Sequence, residues 1–152
     1  MARRPARPEK GTTTVLFIAG FGPIVRDASA SRGFYRDLLG IRFRDMDGYL
    51  HTEAIEGAKA FALWPLEHAA QSCFGAAKWP KRIPAPQAWI EFDVSDVAAA
   101  TKAFVGRGYR PLVSIRTEPW GQVVSRLLSP EGLLVGLTFT PWMRKRAAQA
   151  SG

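Results

Sequence analysis

The sequence predicts an α+β domain made of two modules, each running strand, helix, strand, strand, strand. Three observations carry this. A helical-period stretch over 29–39 lies between strand-like runs, and an alanine-rich helical stretch over 96–106 is flanked in the same way. An offset of 69 residues then superposes the two helix entries, Gly20 to Asp27 on Trp89 to Asp96.

The elements follow in order. Residues 12–25 form an apolar strand with a bend expected at Gly20 or Gly22-Pro23. In the helix over 29–39, Phe34, Leu38 and Leu39 make one apolar stripe with Tyr35 beside it, while Arg32, Arg36 and Asp37 take the wet side. Asp27 or Ser29 can cap its start, and Gly40 ends it where a left-handed residue is wanted. Three strands are expected at 41–46, 49–55 and 58–64, with turns at 45–48 and at Glu56-Gly57. Residues 65–74 suit a short helix and 79–86 are proline-rich. The pattern restarts with a strand at 88–94 and a helix over 96–106 capped by Ser95 or Asp96. Strands at 109–117, 122–128 and 133–139 close it, with turns at 119–121 and 129–132.

This organisation gives one domain over 12–141, its modules at about 12–66 and 87–141 and a linker at 67–86. The chain of 152 residues is long enough for an ordinary core, and no apolar run approaches the length that spans a bilayer. A basic start without an apolar stretch behind it, and a single cysteine, fit a reducing, cytoplasmic setting with no membrane partner. Cys73 reads as a small buried apolar residue. The net charge of +8 sits mainly in the ends, +3 in 1–11 and +3 in the tail 142–152, which leaves +2 for the body. Those ends read as disordered solubilising segments, and no motif marks a specific nucleic-acid partner.

Three segments in this order, Ser31-Arg-Gly-Phe-Tyr-Arg-Asp-Leu-Leu-Gly40, Glu118-Pro-Trp-Gly-Gln122 and Ser129-Pro-Glu-Gly-Leu133, resemble the glyoxalase, bleomycin-resistance and extradiol-dioxygenase superfamily over about 13–140. That resemblance implies the vicinal oxygen chelate fold, in which two βαβββ modules form a curved mixed sheet around a cleft. It also implies pairing as a homodimer. Enzymes of the family hold a divalent metal with His and Glu from four strands, where it binds two adjacent substrate oxygens. The corresponding positions here are Gly20, Phe61, Trp89 and Gly136, none of which can ligate a metal. His51 and Glu53 share one strand face but make only two ligands.

The resemblance therefore points to the antibiotic-binding members, which line their clefts with aromatic rings. The expected function is binding of a small aromatic or planar molecule without metal or cofactor and without catalytic residues. The expected ligand contacts are Phe61, Trp89, Trp120, Trp64, His51 and Arg116, the last favouring an anionic or carbonyl-bearing ligand. The alternative is a metal-independent or atypical-metal lyase, isomerase or dioxygenase-type enzyme of the same fold, with His51, Glu53 or Glu118 as base.

Overall fold

The computed structural model describes residues 13–144. The basic segments expected at 1–11 and, from residue 145 onward, at the tail lie outside the described residues. Eight strands form one mixed sheet in the order β2-β3-β4-β1-β5-β8-β7-β6. The first module supplies β1 (Val15–Val25), β2 (Arg44–Met46), β3 (Tyr49–Thr52) and β4 (Phe61–Pro65). The second supplies β5 (Ala88–Val94), β6 (Val113–Thr117), β7 (Val123–Leu128) and β8 (Leu134–Phe139). The modules meet where β1 and β5 pair antiparallel, and each central strand has a parallel neighbour, β4 beside β1 and β8 beside β5. Register slips between Ile18 and Gly20, the expected place for a bend.

The pairing relates the halves by a pseudo-two-fold. Phe21 pairs with Phe61 and His51 with Ala62, while Ile90 pairs with Val135 and Arg126 with Gly136. His51 and Arg126 therefore occupy equivalent places on β3 and β7. Gly22 lies where a Cβ would meet the Ala62 carbonyl oxygen at 1.9 Å, so only glycine allows β1 and β4 to approach this closely.

Both first-turn caps are aspartates. Asp27 accepts from Ala30 N at 3.0 Å at α1 (Ala28–Arg32), and Asp96 accepts from Ala99 N at 2.9 Å at α3 (Val97–Gly106). α3 buries Val97 and Ala100 against Leu127 and Leu137, and its buried Thr101 hydroxyl shares a 2.7 Å hydrogen bond with Ser125 Oγ. The first helix behaves otherwise. From Gly33 to Leu38 it widens to π geometry, with Leu39 N bonded to Phe34 O at 3.1 Å. The wider turn shifts the angular phase of the side chains. The stripe expected to face the core, Phe34, Leu38 and Leu39, is exposed, and Tyr35 packs inward instead, 5.8 Å from the Phe61 ring. Residues within 67–86 are more than a linker, because α2 (Leu66–Phe74) buries Ala69, Ala70 and Cys73. Burial pushes the Cys73 thiol up, as suits a packing residue. Among the described residues no helix is long and apolar enough to cross a membrane.

Candidate ligand cleft

Four strands carry one row of side chains in register, Gly20 on β1, Glu91 on β5, Gly136 on β8 and Arg126 on β7. A cleft of about 470 Å³ opens over it. Strand period places Trp89, Glu91 and Asp93 on the cleft face of β5 and turns Phe92 and Val94 toward α3. Trp89 is the floor, 5% exposed, its Nε1 donating to Ala62 O at 3.3 Å. Trp64 stands edge-on to it at 5.8 Å. Trp120 and Trp142 form the rim at 59% and 38% exposed. Tyr49 and His51 line the side nearest β3, and His68 and Ser72 enter from α2. A hollow of about 490 Å³ beyond His51, between Arg42 and Ala54, holds Phe43 but no Trp or Tyr, whereas the cleft holds four Trp and a Tyr. Of the two, the cleft carries the aromatic lining.

The family's metal does not fit this cleft. The position that faces it on β4 is Ala62, the pseudo-two-fold mate of Gly136, so a one-residue slip separates it from Phe61. Neither Gly20, Ala62, Trp89 nor Gly136 offers a donor side chain to a metal. The space is also taken. A Cβ on Gly20 would stand 3.0 Å from the Trp89 ring, and one on Gly136 would stand 2.8 Å from Glu91 Cγ. The Arg126 guanidinium occupies the same row and repels a cation. His51 and Glu53 both line the cleft, but among the described residues no group of three His, Cys, Asp or Glu is placed to hold a metal.

What the cleft holds instead is a buried polar network. Arg126 is 3% exposed. Its Nη1 donates to Ser72 Oγ at 2.8 Å and to Glu118 Oε1 at 3.3 Å, while Nη2 stands 3.7 Å from Glu91 Oε1. Its Nε is buried without a hydrogen-bond partner. The guanidinium lies over the Trp64 ring at 5.2 Å. Glu91 is tethered by Gln122, whose Nε2 donates to Glu91 Oε2 and to Thr140 Oγ1, both at 3.1 Å, while Trp120 Nε1 donates to Gln122 Oε1 at 3.1 Å. Burial pushes the Glu91 carboxyl up, and Arg126 and the Gln122 amide pull it back only in part. Burial pushes the Tyr49 phenol up as well.

Two residues along β5 the pattern changes. Asp93, fully buried, accepts from Thr138 Oγ1 at 2.5 Å, Thr140 Oγ1 at 2.7 Å, Thr140 N at 2.8 Å and Arg144 Nε at 3.1 Å. Every approach to this carboxylate is filled.

The structure brings Trp64, Trp89, Trp120 and His51 to the cleft. It takes Phe61 and Arg116 elsewhere. Phe61 shares its face of β4 with Leu63, packs among Phe21, Tyr35 and Phe43, and does not line the cleft. Arg116 lies behind the wall, donating to Ser72 O at 2.9 Å and from Nη2 to Glu118 Oε1 at 2.7 Å. A bulge in β6 turns it there, with Ile115 at a φ of 47° and its N–H on Ser125 Oγ at 2.9 Å. Positive φ is costly for a β-branched residue, so the surrounding structure holds this turn in place. Arg126 is a polar strand residue that the sequence offers as a cleft candidate, whereas Glu91 and Gln122 are cleft residues that the sequence reading does not reach. A usable signal existed, since Trp89, Glu91 and Asp93 alternate against Ile90, Phe92 and Val94, which puts two acids beside a tryptophan on one face.

Comparison with known proteins agrees with this architecture. Residues 18–137 match the family described as the Glyoxalase/Bleomycin resistance protein/Dioxygenase superfamily. Among curated proteins none matches. A solved superfamily member from Vibrio splendidus 12B01 superposes with a TM-score of 0.54 at 12% identity, covering 84% of this chain and 98% of the other. Methylmalonyl-CoA epimerase from Mycobacterium tuberculosis gives 0.54 at 18% identity, covering 88% and 95%. A mutant of homoprotocatechuate 2,3-dioxygenase from Brevibacterium fuscum gives 0.56 at 19% identity, covering 90% of this chain and 35% of that one. At these identities the likeness is one of fold. With a family match over most of its length and two βαβββ halves joined at β1 and β5, the chain belongs to the glyoxalase, bleomycin-resistance and dioxygenase superfamily.

Proposed function

We propose that the protein binds a small planar aromatic molecule in the tryptophan-lined cleft, without a metal. The observation that supports this is the gathering of Trp64, Trp89, Trp120 and Trp142 around one cleft whose four metal-ligand positions carry no donor side chain. Indole walls give a flat ring a large contact area at little cost in side-chain entropy. In this reading Trp64 and Trp89 form the back, Trp120 and Trp142 close over the ring, and His51 stands at one side. Phe61 and Arg116 support the walls from behind.

The test is a titration followed by intrinsic tryptophan fluorescence, comparing 2-naphthamide with 1-adamantanecarboxamide, a globular molecule carrying the same amide. The planar probe is expected to saturate the signal, and Trp120→Ala is expected to weaken it about tenfold. Equal response to both amides, or none to either, overturns the reading. One observation favours a second reading, a metal-independent enzyme of the same fold. Glu91 lies half-buried in the cleft with its carboxyl pushed up by desolvation, which suits a proton-transferring group. Glu91-dependent exchange of an acidic C–H proton of a bound carbonyl compound with deuterated solvent, seen by NMR, distinguishes that reading from binding alone.

The homodimer expected from the family belongs to the same proposal. The exposed Phe34, Leu38 and Leu39 are the apolar side chains that a second copy would cover. A sedimentation measurement that returns a monomer overturns that part.

A further inference from the structure

We propose that the cleft selects a neutral ring bearing a carbonyl group, and that Arg126 donates to the carbonyl oxygen. This rests on the planar-ligand reading and adds the polar group by which the ligand is recognised. A guanidinium has two edges that can grip an acceptor. On Arg126 the Nη1 side is engaged by Ser72 at 2.8 Å and Glu118 at 3.3 Å. The Nε side is not. Nε has no partner, and Nη2 is 3.7 Å from Glu91, beyond hydrogen-bond reach.

Glu91 is the obvious group to fill that edge, and it is held back. Gln122 pulls on its other oxygen at 3.1 Å, and Gln122 is itself fixed by Thr140 and Trp120. The network keeps an acceptor position beside Arg126 unfilled. On the opposite wall the pseudo-two-fold mate of Arg126, His51, also has a buried nitrogen without a partner, Nδ1. Buried polar groups nearly always have a hydrogen-bond partner, so each of these two nitrogens calls for one.

Charge decides which acceptor fits. Glu118 and Glu91 already balance Arg126 and Arg116, so the edge lacks a hydrogen-bond acceptor and not a counter-charge. A carboxylate ligand would bring a third negative group beside Glu91 and lose its hydration on the way in. A neutral carbonyl carries a lone pair at a smaller desolvation cost. Trp64 lies against the guanidinium, so a ring attached to that carbonyl meets aromatic wall.

The test is calorimetric titration of the full chain with 2-naphthamide, 2-naphthoate and 2-methylnaphthalene, which share a ring and differ in the polar group. The amide is expected to bind at least about tenfold more tightly than the other two. Arg126→Lys keeps the charge, removes the fork, and is expected to abolish the preference. Should that variant fail to fold, the wild type still gives an answer. The ¹H–¹⁵N signal of Arg126 Nε is expected to shift on adding 2-naphthamide and to stay on adding 2-methylnaphthalene. Equal saturable binding of amide and hydrocarbon overturns the role of Arg126 and leaves the planar-ligand reading standing. Tightest binding by naphthoate overturns the neutral class. No saturable binding by any of the three overturns both readings.

Discussion

Asp93 and Glu91 sit two residues apart on the same face of β5, and their surroundings are opposite. Asp93 is filled by four donors at 2.5, 2.7, 2.8 and 3.1 Å, fixing β8 and the residues after it to the centre of the sheet. Glu91 has one tethering amide and an arginine 3.7 Å away, itself short of a partner on one nitrogen. One carboxylate is saturated by the fold. The other leaves hydrogen-bonding capacity that the fold does not use, and it does so inside the cleft. Polar groups completed by the chain serve the structure, whereas those left incomplete are where a ligand finds its contacts.

That contrast can be broken most forcefully at Asp93. Asp93→Ala leaves Arg144 and both threonines without their acceptor, and equilibrium denaturation is expected to show a loss of about 4 kcal/mol. Glu118, on which the guanidiniums of Arg116 and Arg126 converge, comes next. Glu118→Gln is expected to cost about 2 kcal/mol in the same measurement, since Arg126 then keeps Ser72 as an acceptor but only the distant Glu91 as a counter-charge.

Glu91→Gln is expected to be mild and to depend on pH. A carboxyl held above its ordinary value in the folded state binds its proton more tightly folded than unfolded. Its stabilising contribution is therefore full below the ordinary glutamate range and is lost as pH rises through the folded value. Melting temperatures of wild type and Glu91→Gln are thus expected to lie closest at acidic pH, with the variant gaining on the wild type toward neutrality. A constant difference across that window contradicts the assignment. The smallest stability effect belongs to Trp120→Ala at the rim. Its side chain is more than half exposed, so stability is expected to change by less than about 1 kcal/mol while affinity for 2-naphthamide falls.

Much of the fold was legible in the sequence because its signals are local. Asp27 and Asp96 announce both helices, glycines at 48 and 57 mark the turns before β3 and β4, and each strand after the second helix starts within a few residues of its expected place. What failed depends on phase. The stretch between β3 and β4 holds no regular structure to carry strand parity across it, so the facing residue was read as Phe61 where the sheet presents Ala62 and Trp64. The π turn rotated Phe34, Leu38 and Leu39 away from the core for the same kind of reason, one extra residue in a repeat. The Arg126 network closes through Glu91–Gln122 and Ser72–Arg126, pairs 31 and 54 positions apart, distances that no local pattern spans.

The segment after β8 ties the cleft to the end of the described chain. Thr140 and Arg144 are bound to Asp93, and between them Trp142 and Met143 contribute to the cleft wall. In the proposed binding role, ligand capture and the integrity of this short stretch are consequently one property. A protease cut behind Phe139, or a bulky fusion placed there, would remove a wall of the cleft together with its anchor, so loss of binding in a clipped sample would report the clip and not the ligand.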